Sequence, residues 1–339
     1  MKKKQFHILL LSIIVVLSSC SGSTKTAVEK LSVLKVTGNV FTNEAGETIR
    51  LQGVSFSDPD KLERDNNWNL RYFEEAKNWG CNIVRFPVHT YTWRYRGADE
   101  YLKLLDQGVE WAAQTGMYVI IDWHAIGNLP QNKYPHFNYE TNWKEIVKFW
   151  QTIAEHYKGN STVAFYELFN EPTDQEAPLT WEMWRPMMEE LIDEVNKIDD
   201  QKIYVVAGMD WAYLLDEVIE NPVSRPNVAY VTHPYPQKRE QPWEAQWEND
   251  FGKVADVYPI VATEFGYVVE GQRGQHIPVV GDETYGNAII NYFDKKGISY
   301  TVWCFDPDWS PALLDDYNFT PSPRQGVFFK NVLQRNSLN

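Results

Sequence analysis

The chain has 339 residues, 43% of them hydrophobic, with 46 acidic against 32 basic side chains and a formal net charge of −14. That length and apolar share suffice for one catalytic domain on one barrel, for which roughly 250 to over 400 residues are ordinary. The acidic balance excludes nucleic acid, and anionic membrane at the folded surface, as partners and suits a neutral polymer.

Lys2, Lys3 and Lys4 precede an apolar stretch over 8–17, too short to span a bilayer comfortably, which ends in Leu17-Ser18-Ser19-Cys20. This is an export signal, and its end resembles a bacterial lipobox. Residues 1–19 are read as a leader removed on export, Cys20 as the lipidated first residue, 20–33 as a polar tether and 34–339 as the catalytic domain. The protein would be exported and lipid-anchored to the cell envelope, touching the membrane through that anchor only. No acidic run follows Cys20, which leaves both the periplasmic and the surface face of the outer membrane open.

After the tether a short β-hairpin is expected, with 34–36 and 48–51 flanking Asn43-Glu44-Ala45-Gly46, capping the bottom of the main domain. Strand patterns then recur at 51–55, 82–86, 118–122, 163–168, 203–207, 228–232, 260–263 and 299–303. Helix-period segments lie between them, at 70–79, 99–115, 143–157, 181–198, 244–257 and 284–295, with a short one near 213–219 and a last one near 328–334. Eight strands alternating with helices predict an α/β fold, a closed (β/α)8 TIM barrel. An open doubly wound sheet would carry a glycine-rich dinucleotide turn, which this chain lacks. Cys81 and Cys304 fall at opposite rims of such a barrel, so they read as small buried thiols.

Chemistry in barrels of this kind collects where strands hand over to loops at their C-terminal ends. Glu171 in Asn170-Glu171-Pro172 follows the fourth strand and Glu264 in Thr263-Glu264-Phe265-Gly266 follows the seventh. Two carboxyl groups facing each other across a cleft are what cleavage of a glycosidic bond needs: one protonates the departing oxygen while the other attacks or activates water. On the same rim stand Arg85 closing the second strand, His124 in Asp122-Trp123-His124, His233 and Tyr235 in His233-Pro234-Tyr235, and Trp303 with the eighth. A fixed cation and a phenol beside Glu264 would favour its ionised form and lower its pKa. The chain carries no His-x-His pair or cysteine cluster, no Gly-x-Ser-x-Gly elbow and no phosphate loop, so no metal and no cofactor is implied.

Taken in order, Arg85, His124, Asn170-Glu171, His233-x-Tyr235, Glu264 and Trp303 resemble glycoside hydrolase family 5, the cellulases, mannanases and related β-glycanases of clan A. The resemblance covers about residues 34 to 334. It implies that Glu171 is the general acid/base and Glu264 the nucleophile of a retaining double displacement. Asn170 would address the sugar 2-hydroxyl, His124 and His233 would orient substrate and tune Glu171, and Trp303 would lie under the ring at the scission point. The implied substrate is a β-linked polysaccharide, foremost a β-1,4-glucan cut internally, with mannan, xyloglucan and mixed-linkage glucan as alternatives. A lipid-tethered glycan binder without activity is the other class, and retention of both glutamates speaks against it.

Fourteen Trp and nineteen Tyr supply flat apolar faces with polar edges, suited to pyranose rings. Trp93 and Trp211 are the expected subsite platforms, and His89 lies on the same rim within reach of sugar hydroxyls. Trp123 and Trp309 also fall beside rim loops, whereas Trp243 and Trp247, spaced i,i+4, are expected to pack on the barrel. The loop over 128–139 is expected beside the cleft.

Overall fold

A computed structural model describes residues 30–337, so the leader, Cys20, most of the tether and the last two residues lie outside the described residues. The chain enters through β1 (Lys35–Thr37), β2 (Val40–Thr42) and β3 (Thr48–Ile49), a small antiparallel sheet in that order. The expected hairpin is therefore corrected: the turn at 43–47 joins β2 to β3, while the 34–36 segment pairs with β2 around Gly38, whose φ of 60° suits a residue without a Cβ. Phe41 of this sheet lies edge-on to Phe165 at 5.2 Å and closes the apolar interior from below, as expected of a bottom cap.

The barrel consists of β4 (Gln52–Ser55), β5 (Ile83–His89), β6 (Tyr118–His124), then, after a two-residue strand β7 (Ile126–Gly127), β8 (Val163–Glu167). After another short strand, β9 (Glu171–Pro172), it continues with β10 (Ile203–Ala207), β11 (Val228–Val231), β12 (Ile260–Ala262) and β13 (Ser299–Val302). All eight barrel strands pair in parallel, and β13 closes on β4 with Thr301 opposite Gly53. Side chains alternate along each strand with period two. One set, including Ile83, Ile120, Phe165, Val205, Val231 and Val261, fills the interior, and the other, including Val84, Ile121, Tyr166 and Val206, faces the helices.

That parity decides the site. Arg85 stands two residues above Ile83, Asp122 two above Ile120, Glu167 two above Phe165, His233 two above Val231 and Thr263 two above Val261. Five strands thus carry polar side chains upward on a floor of aliphatic ones. The helical ring is held by apolar stripes. Trp143–Tyr157 starts at Asn142, whose side chain accepts from the Glu145 N–H, and buries Ile146, Phe149, Trp150, Ile153, Ala154 and Tyr157 at helical spacing. Each large apolar side chain so buried contributes about 1.5–3 kcal/mol. Indole N–H groups then tie helices to strand ends: Trp150 donates to the Leu168 carbonyl at 3.0 Å and Trp184 to the Ala207 carbonyl at 3.1 Å.

Several boundaries differ from expectation. β5 and β6 run on to His89 and His124, which face each other in register, because Val88 and Trp123 keep burying one side of the extended chain. Helices at Pro59–Arg64 and Thr90–Arg96 occupy stretches without a clear apolar period. The segment 213–219 forms turns, not a helix. The expected helix at 244–257 is continuous from Glu244 to Ala255 but opens into a π turn at Glu248–Gly252, where a Cβ on Gly252 would sit 1.7 Å from the Tyr292 hydroxyl oxygen. Cys81 and Cys304 are both free and buried. No helix among the described residues is long and apolar enough to cross a membrane.

Candidate active site

Backbone pairing sets the position of Glu171. Beyond the barrel rim β7 and β9 form a parallel pair, in which Asn170 N–H donates to the Trp123 carbonyl at 3.1 Å, Glu171 N–H to Ala125 at 3.0 Å and Thr173 N–H to Gly127 at 3.1 Å. The Asn-Glu-Pro segment is thereby stapled to the strand bearing His124. Across the mouth, Glu264 follows β12, and Trp303 N–H donates to the Phe265 carbonyl at 3.0 Å. Glu171 and Glu264 are 8% and 5% exposed, and each has a carboxylate oxygen within 4.8 Å of the other's. They line a cleft of about 660 Å³ together with Tyr139, Trp211, Tyr235 and Trp303.

Arg85, wholly buried, organises the floor. Its guanidinium donates to Glu264 Oε1 at 2.8 Å, to Asn170 Oδ1 at 2.6 Å and in a fork to Glu167 at 2.6 and 3.0 Å, and it pairs as an ion with Asp122 Oδ2 at 2.9 Å. Tyr235 donates its hydroxyl to Glu264 Oε2 at 3.2 Å. Arg85 and Tyr235 thus both hold Glu264, as expected. Burial nevertheless raises the Glu264 pKa against the pull of Arg85, so the expected net lowering is corrected: desolvation outweighs the ion pair.

Among the described residues no cation is bonded to Glu171. Burial, opposed by the more distant Lys238 and Arg85, pushes its pKa to about 7. With a guanidinium bonded to Glu264 and none to Glu171, ionisation is favoured at Glu264 over Glu171. His233 Nδ1 lies 2.9 Å from Glu171 Oε1, and burial lowers the His233 pKa to about 4, so the ring is neutral at ordinary pH. His124 is held neutral by burial in the same way. It meets Asp122 at 2.7 Å and comes within 4.0 Å of Glu264, so the expectation that it tunes Glu171 is corrected: it stands on the Glu264 side. Trp303, joined to Cys304 by a cis bond, lies parallel to the His124 ring at 5.7 Å and to Trp309 at 5.8 Å, forming an aromatic wall.

The platforms divide. Trp211 is half-buried in the cleft wall, held by a backbone in which Asp210, Trp211 and Ala212 take φ of 52°, 60° and 56°. Three successive non-glycine residues in the left-handed region store strain, and here they set an indole at the rim. His89 stands on the rim against His124 at 4.5 Å and Trp309 at 5.2 Å, bonded to Asp58, and lines an adjoining cavity of about 530 Å³. Trp93 does not line the cleft that holds Glu171 and Glu264. The helix Thr90–Arg96 turns it inward, 8% exposed, edge-on to Phe149 at 4.8 Å. Trp123 is likewise packed, on Phe149. Trp243 and Trp247 stack on each other at 5.8 Å beside Tyr285, the packing role expected of them.

Asp122, Glu167 and Thr263 join the site without having been singled out by sequence, although parity is a signal that finds them: an arginine pointing into a barrel needs carboxylates on the inward positions of neighbouring strands. Asn170 Nδ2 and Asp122 Oδ1 are buried without a hydrogen-bond partner. Asn170 borders the cleft, with this amide nitrogen unpartnered among the described residues. Glu171, His233 and Glu264 could each offer a ligand atom to a cation, but His233 Nδ1 and Glu171 Oε1 already engage each other and Arg85 neutralises Glu264.

A β-glucanase from Saccharophagus degradans, whose structure is also known with cellotetraose, is 43% identical with a TM-score of 0.89 over 91% of this chain and 95% of that one. The catalytic domain of a Thermobifida fusca endoglucanase, 21% identical, shares the fold with a TM-score of 0.72 over 89% and 97% of the two chains. Endoglucanase A of Butyrivibrio fibrisolvens is 30% identical over 214 residues, 60% of this chain and 45% of that protein. The first three curated relatives are longer proteins, of which the matches cover 45%, 59% and 66%. The cellulase family model matches residues 42–308, the span that holds both glutamates, Arg85, His124 and Trp303, and the chain belongs to glycosyl hydrolase family 5.

Proposed function

We propose that the protein is a retaining endo-β-glucanase that cleaves β-1,4 linkages, with Glu264 as nucleophile and Glu171 as acid/base. One observation carries the reading: two buried carboxyl groups approach within 4.8 Å, one bonded to a guanidinium and the other to a neutral imidazole. A retaining pair stands about 5–5.5 Å apart, whereas an inverting pair needs about 6.5–9.5 Å to admit water. In the first step a Glu264 oxygen attacks the anomeric carbon while Glu171 passes its proton to the departing glycosidic oxygen. In the second, Glu171 as carboxylate takes a proton from water, the resulting oxygen attacks the same carbon, and Glu264 leaves. Two displacements restore the anomeric configuration. Trp303 supports the ring being cut, and Asn170 Nδ2 donates to its 2-hydroxyl.

The relatives support the substrate class, since they are named endoglucanases and a β-glucanase, the latter known with cellotetraose. Reducing-sugar release by the purified protein from carboxymethylcellulose, barley β-glucan and galactomannan is the test. Release from the glucans foremost is expected; release from galactomannan alone would make it a mannanase, and none from any β-glycan would leave a glycan binder. The exported, lipid-anchored form through Cys20 rests on the leader pattern at 1–20. Cys20→Ser should abolish labelled-palmitate incorporation and free the protein from membranes, and its retention there would overturn the anchor.

A further inference from the structure

Four buried groups form a continuous line behind the cleft. Glu167 Oε1 lies 2.8 Å from Thr263 Oγ1, Thr263 Oγ1 lies 2.9 Å from His233 Nε2, and His233 Nδ1 lies 2.9 Å from Glu171 Oε1. Glu167, Thr263 and His233 are fully buried, so no solvent proton is at hand to satisfy them. The count of hydrogens gives this line a direction. Glu167 accepts twice from Arg85 and is therefore a carboxylate with nothing to donate. The single Thr263 hydroxyl proton must go to Glu167. Thr263 Oγ1 is then left as an acceptor, which requires a proton on His233 Nε2. A neutral imidazole protonated at Nε2 presents a bare Nδ1, and a bare Nδ1 at 2.9 Å requires the proton to sit on Glu171.

We propose that Thr263 is a positioning residue that acts through His233 to hold Glu171 in its protonated form. This rests on the reading of Glu171 as acid/base. A hydrogen bond to the neutral form of a carboxyl group disfavours its ionisation. The opposite imidazole tautomer would donate to the carboxylate and favour ionisation, so the choice made at Thr263 decides which way His233 pushes. Once Glu171 has given its proton to the leaving oxygen, its carboxylate faces the Nδ1 lone pair. That repulsion makes Glu171 a stronger base toward the water of the second step, so one tautomer serves both half-reactions.

Other charges act on the pair. Arg85 of β5, Glu167 of β8, Asp210, Lys238 and Glu264 all bear on Glu171, on His233 or on both. Asp122, His124, Tyr139 and Tyr235 complete the surroundings. None of the charged groups stands in hydrogen-bond contact with Glu171, and Thr263 is the group that fixes the ring's proton. The Thr263 backbone is itself anchored, its carbonyl accepting from the Thr301 hydroxyl at 2.7 Å.

Thr263→Val keeps the shape and removes the hydroxyl, whereas Thr263→Ser keeps the hydroxyl. On an aryl β-cellobioside with a poor leaving group, Thr263→Val should lose tenfold or more in kcat/KM. On 2,4-dinitrophenyl β-cellobioside, which needs little proton donation, glycosylation should change less than threefold. The basic limb of the kcat/KM profile should move to lower pH, and Thr263→Ser should restore both limb and rate. Equal losses on the two substrates, or an unmoved basic limb, would overturn the proposal while leaving the roles of the glutamates intact. Those roles fail separately, if Glu171→Gln shows no dependence on leaving group. In the unsubstituted protein, imidazole nitrogen NMR should report His233 protonated at Nε2 near pH 6, and a proton on Nδ1 would refute the relay even if Thr263→Val does not fold.

Discussion

Replacing Glu171 by Gln should remove activity on substrates with poor leaving groups and stabilise the fold, with a stabilisation that depends on pH in a defined way. Burial raises the Glu171 pKa from its ordinary 4.5 to about 7. The folded protein therefore binds this proton more tightly than the unfolded chain does. The associated stability is fully present below pH 4.5 and is lost as pH rises through about 7. At roughly 1.4 kcal/mol for each tenfold change in proton affinity, the loss amounts to about 3 kcal/mol above pH 8. Glutamine carries no charge to desolvate, and its amide can still donate to His233 Nδ1. Glu171→Gln and the parent protein should thus melt together at pH 4, while at pH 8 the variant should melt on the order of 5 °C higher, for a chain of this size. Thermal denaturation across pH 4 to 9 measures the difference. A difference independent of pH, or a variant that melts lower at pH 8, would refute the assignment of a strained, proton-holding carboxyl group to Glu171.

Glu264→Ala should lose essentially all hydrolysis, and azide should restore turnover of an activated aryl cellobioside with an inverted product read by NMR. A restored product of retained configuration would contradict the nucleophile assignment. Arg85→Met leaves Asp122, Glu167 and Glu264 buried without their shared cation and should cost about 3–5 kcal/mol of stability in urea denaturation; a loss below about 1 kcal/mol would mean these carboxyl groups are already neutralised. Trp211→Ala should raise KM on cellotetraose by roughly fivefold, equivalent to about 1 kcal/mol of aromatic contact. Trp93→Ala should leave KM alone and destabilise by about 3–5 kcal/mol as a core truncation, and the reverse pattern would return Trp93 to the cleft.

Strand-end residues are legible in the sequence because a barrel strand announces itself as a short apolar run and the next polar residue marks its mouth. Glu171, Glu264, His233 and Trp303 declare themselves by standing just past such runs, whereas Arg85 declares itself as a charge inside the apolar strand β5. The register inside the barrel is harder to read. Asp122 and Glu167 look like ordinary polar residues near strand ends until the inward parity of Ile120 and Phe165 is known, and only then do they become the counter-charges of Arg85. Aromatic residues mislead in the other direction. A tryptophan near a rim loop presents a sugar face or fills the core according to the helix that carries it, and Thr90–Arg96 has too few apolar positions to declare itself. The left-handed turn at 210–212 is invisible in the sequence, since Asp-Trp-Ala carries no glycine to signal positive φ. The β7–β9 pair, which fixes Glu171, is too short to leave a periodic trace.

Covalent trapping tests the central claim most directly. Incubation with a 2-deoxy-2-fluoro β-cellobiosyl fluoride should accumulate a glycosyl-enzyme intermediate, and peptide mass spectrometry should place the sugar on Glu264. A sugar on Glu171, or steady turnover of natural substrate to an inverted product with no trapped intermediate, would contradict the double displacement built on these two carboxyl groups.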